Sequence, residues 1–258
     1  MQRILIKIGG KVFENGQGLV SLAASIRQAD TAQYIIVHGG GVEITQALNQ
    51  ANRPTIFENG LRITAAEDME IIEQVLSEKI NSRIASALTN HGVSCTRLSG
   101  RTHAMFIVEP LLSNGRSLGY VGKITRVNPA PALDALAKGH VALVSPVSAD
   151  ASGAVFNVNA DSAAAALAVH ADCTDLIYFT DVPGIRDEKG LISDISLAEA
   201  NALAAAGIIR DGMVAKLNSA AEALHGKVAR VHITRWQGDA TLAELTGHNK
   251  ISGTTIHI

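Results

Sequence analysis

Cysteine, long apolar runs and an excess of either charge are all scarce in this sequence. Two cysteines, Cys95 and Cys173, occur in 258 residues, in unrelated contexts and without metal-ligand spacing. That argues for buried reduced thiols and against a disulfide framework, a zinc site or a redox role. The formal net charge is -2 with the basic residues scattered, which leaves no electrostatic footprint for nucleic acid. Hydrophobic residues make up 47% of the chain, yet no apolar stretch is long enough to cross a bilayer, so a membrane partner is not expected. Met1 runs directly into "RILIKIGG" without the apolar core and cleavage site of a secretory signal, so a cytoplasmic protein is expected. Low-complexity linkers and internal repeats are also missing, so any domain boundary is soft. The reading puts it near Asp161, giving an N-terminal lobe over 1–160 and a C-terminal lobe over 161–258.

Short β-rich runs alternate with longer helical patterns. Arg3 to Ile8, Tyr34 to Val37, Val93 to Leu98, Val141 to Val147 and Leu176 to Thr180 read as strands, most of them apolar throughout, as strands buried on both faces should be. Thr64 and Glu67 form a capping-box pattern that opens the longest helix, which stops near Gly92; Ser196 and Glu199 repeat the pattern, with Gly207 as the stop. Strands alternating with helices imply right-handed crossovers. The fold class expected is α/β, a three-layer αβα sandwich with a mainly parallel central sheet. Ala104 to Leu111 and Tyr120 to Asn128 flank a Ser-Asn-Gly turn and read as an antiparallel hairpin, a lid over a site.

Ligands of open α/β sheets bind beyond the carboxyl ends of the strands, which directs attention to the loops there. In "IKIGGK", Lys7 lies in a strand ending in Gly9 and Gly10. A lysine in a central apolar strand requires a negative partner; the alternative is a lysine on an edge strand. In "VHGGGVEI", Gly39, Gly40 and Gly41 precede a helix starting near Val42, where loop N–H groups and the helix dipole favour an oxyanion. Neither common nucleotide signature fits: Ile44 stands at the last glycine position of a dinucleotide fingerprint, and no G-x-x-x-x-G-K-[ST] occurs. His38 reads as a hydrogen-bonded structural histidine. Arg62, in the polar turn "NGLRIT", has the planar fork that suits a carboxylate, or is a solvated surface charge. In "FNVNAD", Asn157 and Asn159 point the same way if the chain is extended, and Asp161 opens an alanine-rich helix, where a carboxylate also suits the dipole. "FTDVPGI" ends a strand at Asp181 and turns through Pro183 and Gly184. Lys216, in "DGMVAK", lies near the start of a helix, which an anion nearby would explain; the alternative is a solvent-facing lysine.

Taken in order, "IKIGG", "VHGGG", "NGLRIT", "GYVG", "NVNAD", "TDVPGI" and "DGMVAK" resemble the amino-acid kinase family and, within it, the acetylglutamate kinases, over nearly the whole chain. The resemblance implies transfer of the γ-phosphoryl group of ATP to the side-chain carboxylate of N-acetyl-L-glutamate, the second step of arginine synthesis. It implies that Lys7 and Lys216 stabilise the transferring group while Asp161 holds both ammonium groups. Gly40 and Gly41 then meet the reacting carboxylate, Arg62, Asn157 and Asn159 the rest of the acid, and Gly9 or Gly10 the phosphates. Asp181, Val182, Pro183, Gly184, Ile185 and Arg186, with Ile208, Ile209 and Arg210, match stretches that surround adenine and ribose. Mg2+ is expected to arrive on the ATP phosphates, with no protein carboxylates dedicated to it. Val42 departs from the proline common in the family, and "SGRTHAMFIVEP" diverges in the hairpin region that helps to shape the acyl pocket, so N-succinylglutamate and aminoadipate stand as alternative substrates, and a silent sensor as an alternative of another class. The sequence begins at the first strand, without the N-terminal helix of arginine-inhibited hexameric members, so the resemblance implies a homodimer that arginine inhibits weakly or not at all.

Overall fold

The computed structural model describes residues 1–9, 13, 16–210, 212–246 and 253–258; Gly10, named above as a phosphate contact, and Asp211 of the "DGMVAK" motif lie outside the described residues. The first half of the chain runs β1 (Gln2–Ile8), α1 (Gly16–Gln28), β2 (Ala32–His38), α2 (Gly41–Gln50), β3 (Ile56–Glu58), β4 (Leu61–Ile63), α3 (Met69–Glu73), a π-helical stretch (Gln74–Ile80) and α4 (Asn81–Asn90). There follow β5 (Cys95–Ser99), β6 (Phe106–Ser113), β7 (Arg116–Val127), α5 (Ala130–Ala137), β8 (Val141–Ser145), β9 (Ser148–Ala149), β10 (Val155–Val158) and α6 (Ala160–His170). The rest comprises β11 (Asp175–Phe179), β12 (Arg186–Asp187), β13 (Gly190–Leu191), β14 (Asp194–Ser196), α7 (Leu197–Ala205), α8 (Gly212–His225), β15 (Arg230–Thr234), α9 (Thr241–Thr246) and β16 (Gly253–His257).

Eight strands form the central sheet in the order β14-β16-β15-β11-β1-β2-β8-β5. Only the β15–β16 pairing in it is antiparallel, so the mainly parallel sheet expected from the sequence is present. Alternation along each strand sorts the two cores. Ile4, Ile6 and Ile8 of β1 pack with α1, α2 and α4, whereas Leu5 joins the residues of α5, α6 and α8 on the other face. Lys7 shares the face of Leu5. Its strand lies between β2 and β11, with Lys7 opposite Val37 and Tyr178, which rules out the edge-strand reading. Strand order reverses at β1, since β2 lies on one side and β11 on the other, and a crevice opens beyond strand ends at such a point.

All five strands read from the sequence are present. Three local readings change. Arg62 sits in β4, paired with Phe57 of β3, and not in a turn; the turn is Asn59-Gly60, both at positive φ (50° and 79°), the two-residue geometry that closes hairpins. Thr64 and Glu67 do not cap the long helix. Thr64 Oγ1 donates instead to the Arg62 carbonyl (3.0 Å), and the Asp68 carboxylate receives the Ala65 N–H (3.3 Å), so the helical stretch starts at Ala66 as a 3-10 turn. The β6–β7 hairpin extends further towards its turn than expected, through Asn114-Gly115 at φ 48° and 77°. It is tied down: β7 pairs with β10, β6 with β9, and Thr64 exchanges backbone hydrogen bonds with Leu118 and Tyr120. The second capping box holds, with Ser196 N–H on Glu199 Oε2 (3.0 Å) and Glu199 N–H on Ser196 Oγ (3.2 Å).

At the amino ends of the strands, Asp175 carries a buried polar network. Its carboxylate receives Gln2 Nε2 (2.8 Å), Thr174 Oγ1 (2.7 Å) and Arg230 Nε (2.8 Å), and His232 Nε2 lies 3.2 Å away. Burial pushes its pKa up, but these contacts outweigh burial and hold it well below the usual carboxylate value. Asp175→Ala strands several of these donors in the sheet, and is expected to cost about 3 kcal/mol of stability in urea unfolding, with substrate affinities unchanged because the network lies at the far end of the strands.

Candidate active site

A cavity of about 390 Å³ opens at the carboxyl ends of β1, β2 and β10. Lys7, Gly9, Gly39, Gly40, Gly41, Arg62, Asn157, Asn159, Asp161 and Asp181 all line it. Residues singled out from 7 to 181 of the sequence therefore converge on one space.

Asp161 is the centre of its charge. It lies in the first turn of α6, buried, with Lys7 Nζ 2.8 Å from one carboxylate oxygen and Lys216 Nζ 2.8 Å from the other. Lys7 comes from β1 and Lys216 from α8, 209 positions away in sequence, so tertiary packing alone makes this triad. Burial raises the pKa of Asp161, but the two ammonium groups outweigh burial and hold it at about 2. The helix-start reading of Asp161 is correct but incomplete. Asn159 is the N-cap of that helix, its Oδ1 receiving the N–H groups of Asp161 (2.8 Å) and Ser162 (3.1 Å). Asn157 Nδ2 donates to Thr64 Oγ1 at 3.3 Å.

The three glycines differ in what they require. A Cβ on Gly40 would meet Ile80 Cδ1 at 2.3 Å and Leu76 Cδ2 at 2.9 Å, whereas one on Gly41 would meet nothing within 4 Å. Leu76 and Ile80 belong to the π-helical stretch, so that irregularity presses directly on the glycine loop. Arg62 is 7% exposed, which removes the reading of a solvated surface charge. Its Nη2 donates to the Gly41 carbonyl (3.0 Å) and Thr45 Oγ1 (2.8 Å), and its guanidinium carbon lies 4.7 Å from the centroid of the Phe57 ring. Nη1 is buried with no hydrogen-bond partner among the described residues. A buried guanidinium N–H left open on a cavity wall suits a carboxylate.

The residues matched above to nucleoside-binding stretches divide. Asp181 reaches the cavity, while Val182 and Ile208 are exposed and Ile185 and Ile209 are packed in the core. Gly184 is at φ 149°, where a Cβ would meet Thr254 Oγ1 at 2.6 Å. Pro183 is half-buried, Arg186 begins β12, and Arg210 donates from Nε to the Gly207 carbonyl. Sequence reasoning missed Glu43 and Arg83, an ion pair of 2.6 Å on the cavity wall. It also missed Leu61 and Val121, two apolar wall residues. Glu43 lies two positions after the last of the glycines, but nothing local marks Arg83, which faces the cavity from the long helix only through packing.

The contrast between two glycines is directly measurable: Gly40→Ala is expected to lower stability by about 1–3 kcal/mol through overpacking against Leu76 and Ile80, while Gly41→Ala stays within about 0.5 kcal/mol. Acid titration checks the triad. The pKa of Asp161 falls from 3.8 to about 2 on folding, so its contribution is fully present above about pH 4 and is lost as pH falls towards 2. The stability gap between the wild-type protein and Asp161→Asn should therefore narrow across that window, and a gap constant from pH 5 to pH 2 would contradict the pairing.

The model of the amino acid kinase family matches residues 2–235. An acetylglutamate kinase of Pseudothermotoga lettingae is 36% identical over 231 residues, covering 89% of this chain and 82% of the relative. Another, of Chloroflexus aggregans, is 36% identical over 235 residues, covering 91% and 92%. Among solved structures, the N-acetylglutamate synthase of Neisseria gonorrhoeae complexed with coenzyme A and N-acetyl-glutamate is similar with a TM-score of 0.84 at 27% identity, over 100% of this chain and 59% of that one. A carbamate kinase of Giardia shares the fold, with a TM-score of 0.70 at 15% identity over 99% and 98%. The chain belongs to the amino acid kinase family.

Proposed function

We propose that this protein transfers the γ-phosphoryl group of ATP to the side-chain carboxylate of N-acetyl-L-glutamate, giving N-acetyl-L-glutamyl 5-phosphate in arginine biosynthesis. The observation that carries the reading is the Lys7–Asp161–Lys216 triad beside an open, buried Arg62. The acetylglutamate kinases to which the chain is similar over most of its length supply the substrate. Phosphoryl transfer through a loose transition state needs alignment and neutralisation of charge on the equatorial oxygens, and little covalent chemistry from the protein.

In this reading Arg62 and Asn157 hold the α-carboxylate, and Gly40 and Gly41 direct N–H groups at the reacting carboxylate. Asn159, on the same wall, meets the rest of the acid, and Leu61 and Val121 offer apolar surface to a small acyl group. Lys7 and Lys216 lie across the migrating phosphoryl. Asp161 keeps both ammonium groups in place, so that little reorganisation is required at the transition state. Gly9 covers the phosphates, and Asp181 to Arg186 with Ile208 to Arg210 flank the nucleoside, Val182 and Ile208 with side chains, Ile185 and Ile209 with backbone. Residues 1–160 would thus bind the acid and 161–258 ATP. Magnesium would be carried by the ATP phosphates: both oxygens of Asp161 are engaged by lysines, and no group of three His, Cys, Asp or Glu side chains suited to a metal occurs among the described residues. A cytoplasmic homodimer belongs to the same reading; no described helix is long and apolar enough to cross a membrane.

Trapping the acyl phosphate as its hydroxamate, with ATP, magnesium and each of N-acetylglutamate, N-succinylglutamate, N-acetyl-aminoadipate, glutamate and aspartate, tests the assignment. N-acetylglutamate should give the highest kcat/KM; a preference for another acid moves the substrate, and no product with any acid favours a silent sensor. Lys7→Ala and Lys216→Ala are each expected to lower kcat about 10²–10³-fold with smaller changes in KM, since their contacts strengthen in the transition state. Arg62→Lys should chiefly raise KM for the acid by losing the fork, and an unaltered KM would remove it from the site.

A further inference from the structure

A chain of hydrogen bonds leads from the protein surface to the glycine loop and leaves no freedom in its direction. Arg97, on β5, can only donate, and its Nε lies 2.9 Å from Asn81 Oδ1. Its Nη2 is anchored on the Ser77 carbonyl (2.8 Å) and the Glu78 carboxylate (3.0 Å). The Asn81 oxygen is therefore an acceptor, and its Nδ2 faces the other way. That orientation has an independent support, because Nδ2 also lies 3.4 Å from the Leu143 carbonyl, which can only accept. The second acceptor facing Nδ2 is His38 Nε2, at 3.2 Å. Nε2 must then be the unprotonated nitrogen, and the ring proton sits on Nδ1, 3.1 Å from the Gly39 carbonyl oxygen.

We propose that His38 is a positioning residue for the acid site, held by Arg97 and Asn81 in the Nδ1–H tautomer so that it pins the Gly39–Gly40 peptide. A trans peptide is planar, with its C=O and N–H directed oppositely. Fixing the Gly39 carbonyl on the imidazole therefore fixes the Gly40 N–H on the side away from it, at a residue that lines the cavity. Asn81 follows directly on the π-helical stretch whose Leu76 and Ile80 press on Gly40, so one helix clamps the loop by packing and through the imidazole. The environment keeps the ring neutral: burial, with Arg83 and Lys7 nearby, outweighs the bond to Gly39 and lowers its pKa to about 4. The role assigned to Gly40 rests on the kinase reading above; the tautomer does not.

Two measurements test the inference. Long-range proton–nitrogen NMR of the imidazole in the wild-type protein should show His38 protonated on Nδ1 alone at neutral pH; an Nε2–H tautomer or an imidazolium there overturns it. The spectrum needs no turnover, so a wrong tautomer is distinguishable from a failure of the kinase assignment. Kinetics then separate positioning from packing, because an asparagine amide nitrogen can occupy the place of Nδ1 and a glutamine one that of Nε2. His38→Asn is expected to keep the KM for the acid within about twofold, while His38→Gln and Asn81→Leu raise it about 3–10-fold, the loss of one hydrogen bond, with KM for ATP unchanged in all three. Equal acid KM values for the asparagine and glutamine variants, or parallel rises for acid and ATP, reduce His38 to a filler of the core.

Discussion

The site depends on one buried carboxylate shared by two ammonium groups. A lone lysine among the apolar residues of β1 would be costly, and so would a lone aspartate at the buried start of α6. Each is stable there because the other is present, with Lys216 as the third member. The arrangement carries a net positive charge at the point where the sheet opens, and its geometry is set before any substrate arrives. Such preorganisation is what transfer of a highly charged group requires, since the cost of orienting dipoles and charges has been met during folding.

Around this centre the remaining cavity wall is built from backbone held in place by side chains. Arg62 grips the Gly41 carbonyl, His38 lies on the Gly39 carbonyl, and Leu76 and Ile80 leave room for nothing larger than glycine at position 40. A glycine loop that was flexible in isolation is thus fixed from three directions. The π-helical stretch has a plain role in this account: it brings Leu76 and Ile80 against the loop and is followed at once by Asn81. The polar network around Asp175, at the opposite end of the strands, is separate from this cavity and serves the sheet.

Much of the fold was legible because apolar strands and capping residues are local signals. The five strands read from pattern are all present, as is the Ser196–Glu199 box, and Asn114-Gly115 closes the hairpin where a turn was expected. The errors have separate local causes. At Thr64 the hydroxyl had a competing partner in its own neighbourhood, the Arg62 carbonyl, and the Asp68 carboxylate reaches back to the Ala65 N–H instead. At Arg62 the Asn59-Gly60 turn was merged with the strand that follows it. The short strands β14, β15 and β16 escaped notice, being less uniformly apolar than the central ones.

The sequence by itself determined which residues would be costly to place, and hence where chemistry had to lie: Lys7 in an apolar strand, three adjacent glycines, an arginine read as part of a polar turn, an aspartate opening a helix. Only the tertiary structure decided which of these costs are offset by which partners. Lys7 meets Asp161 because β1 runs beside β11 and beneath α6, Arg83 meets Glu43 because the long helix crosses the glycine loop, and His38 acquires its tautomer from Arg97 two contacts away. Such pairings join residues tens to hundreds of positions apart, through distances that side-chain chemistry can rank but only packing can set.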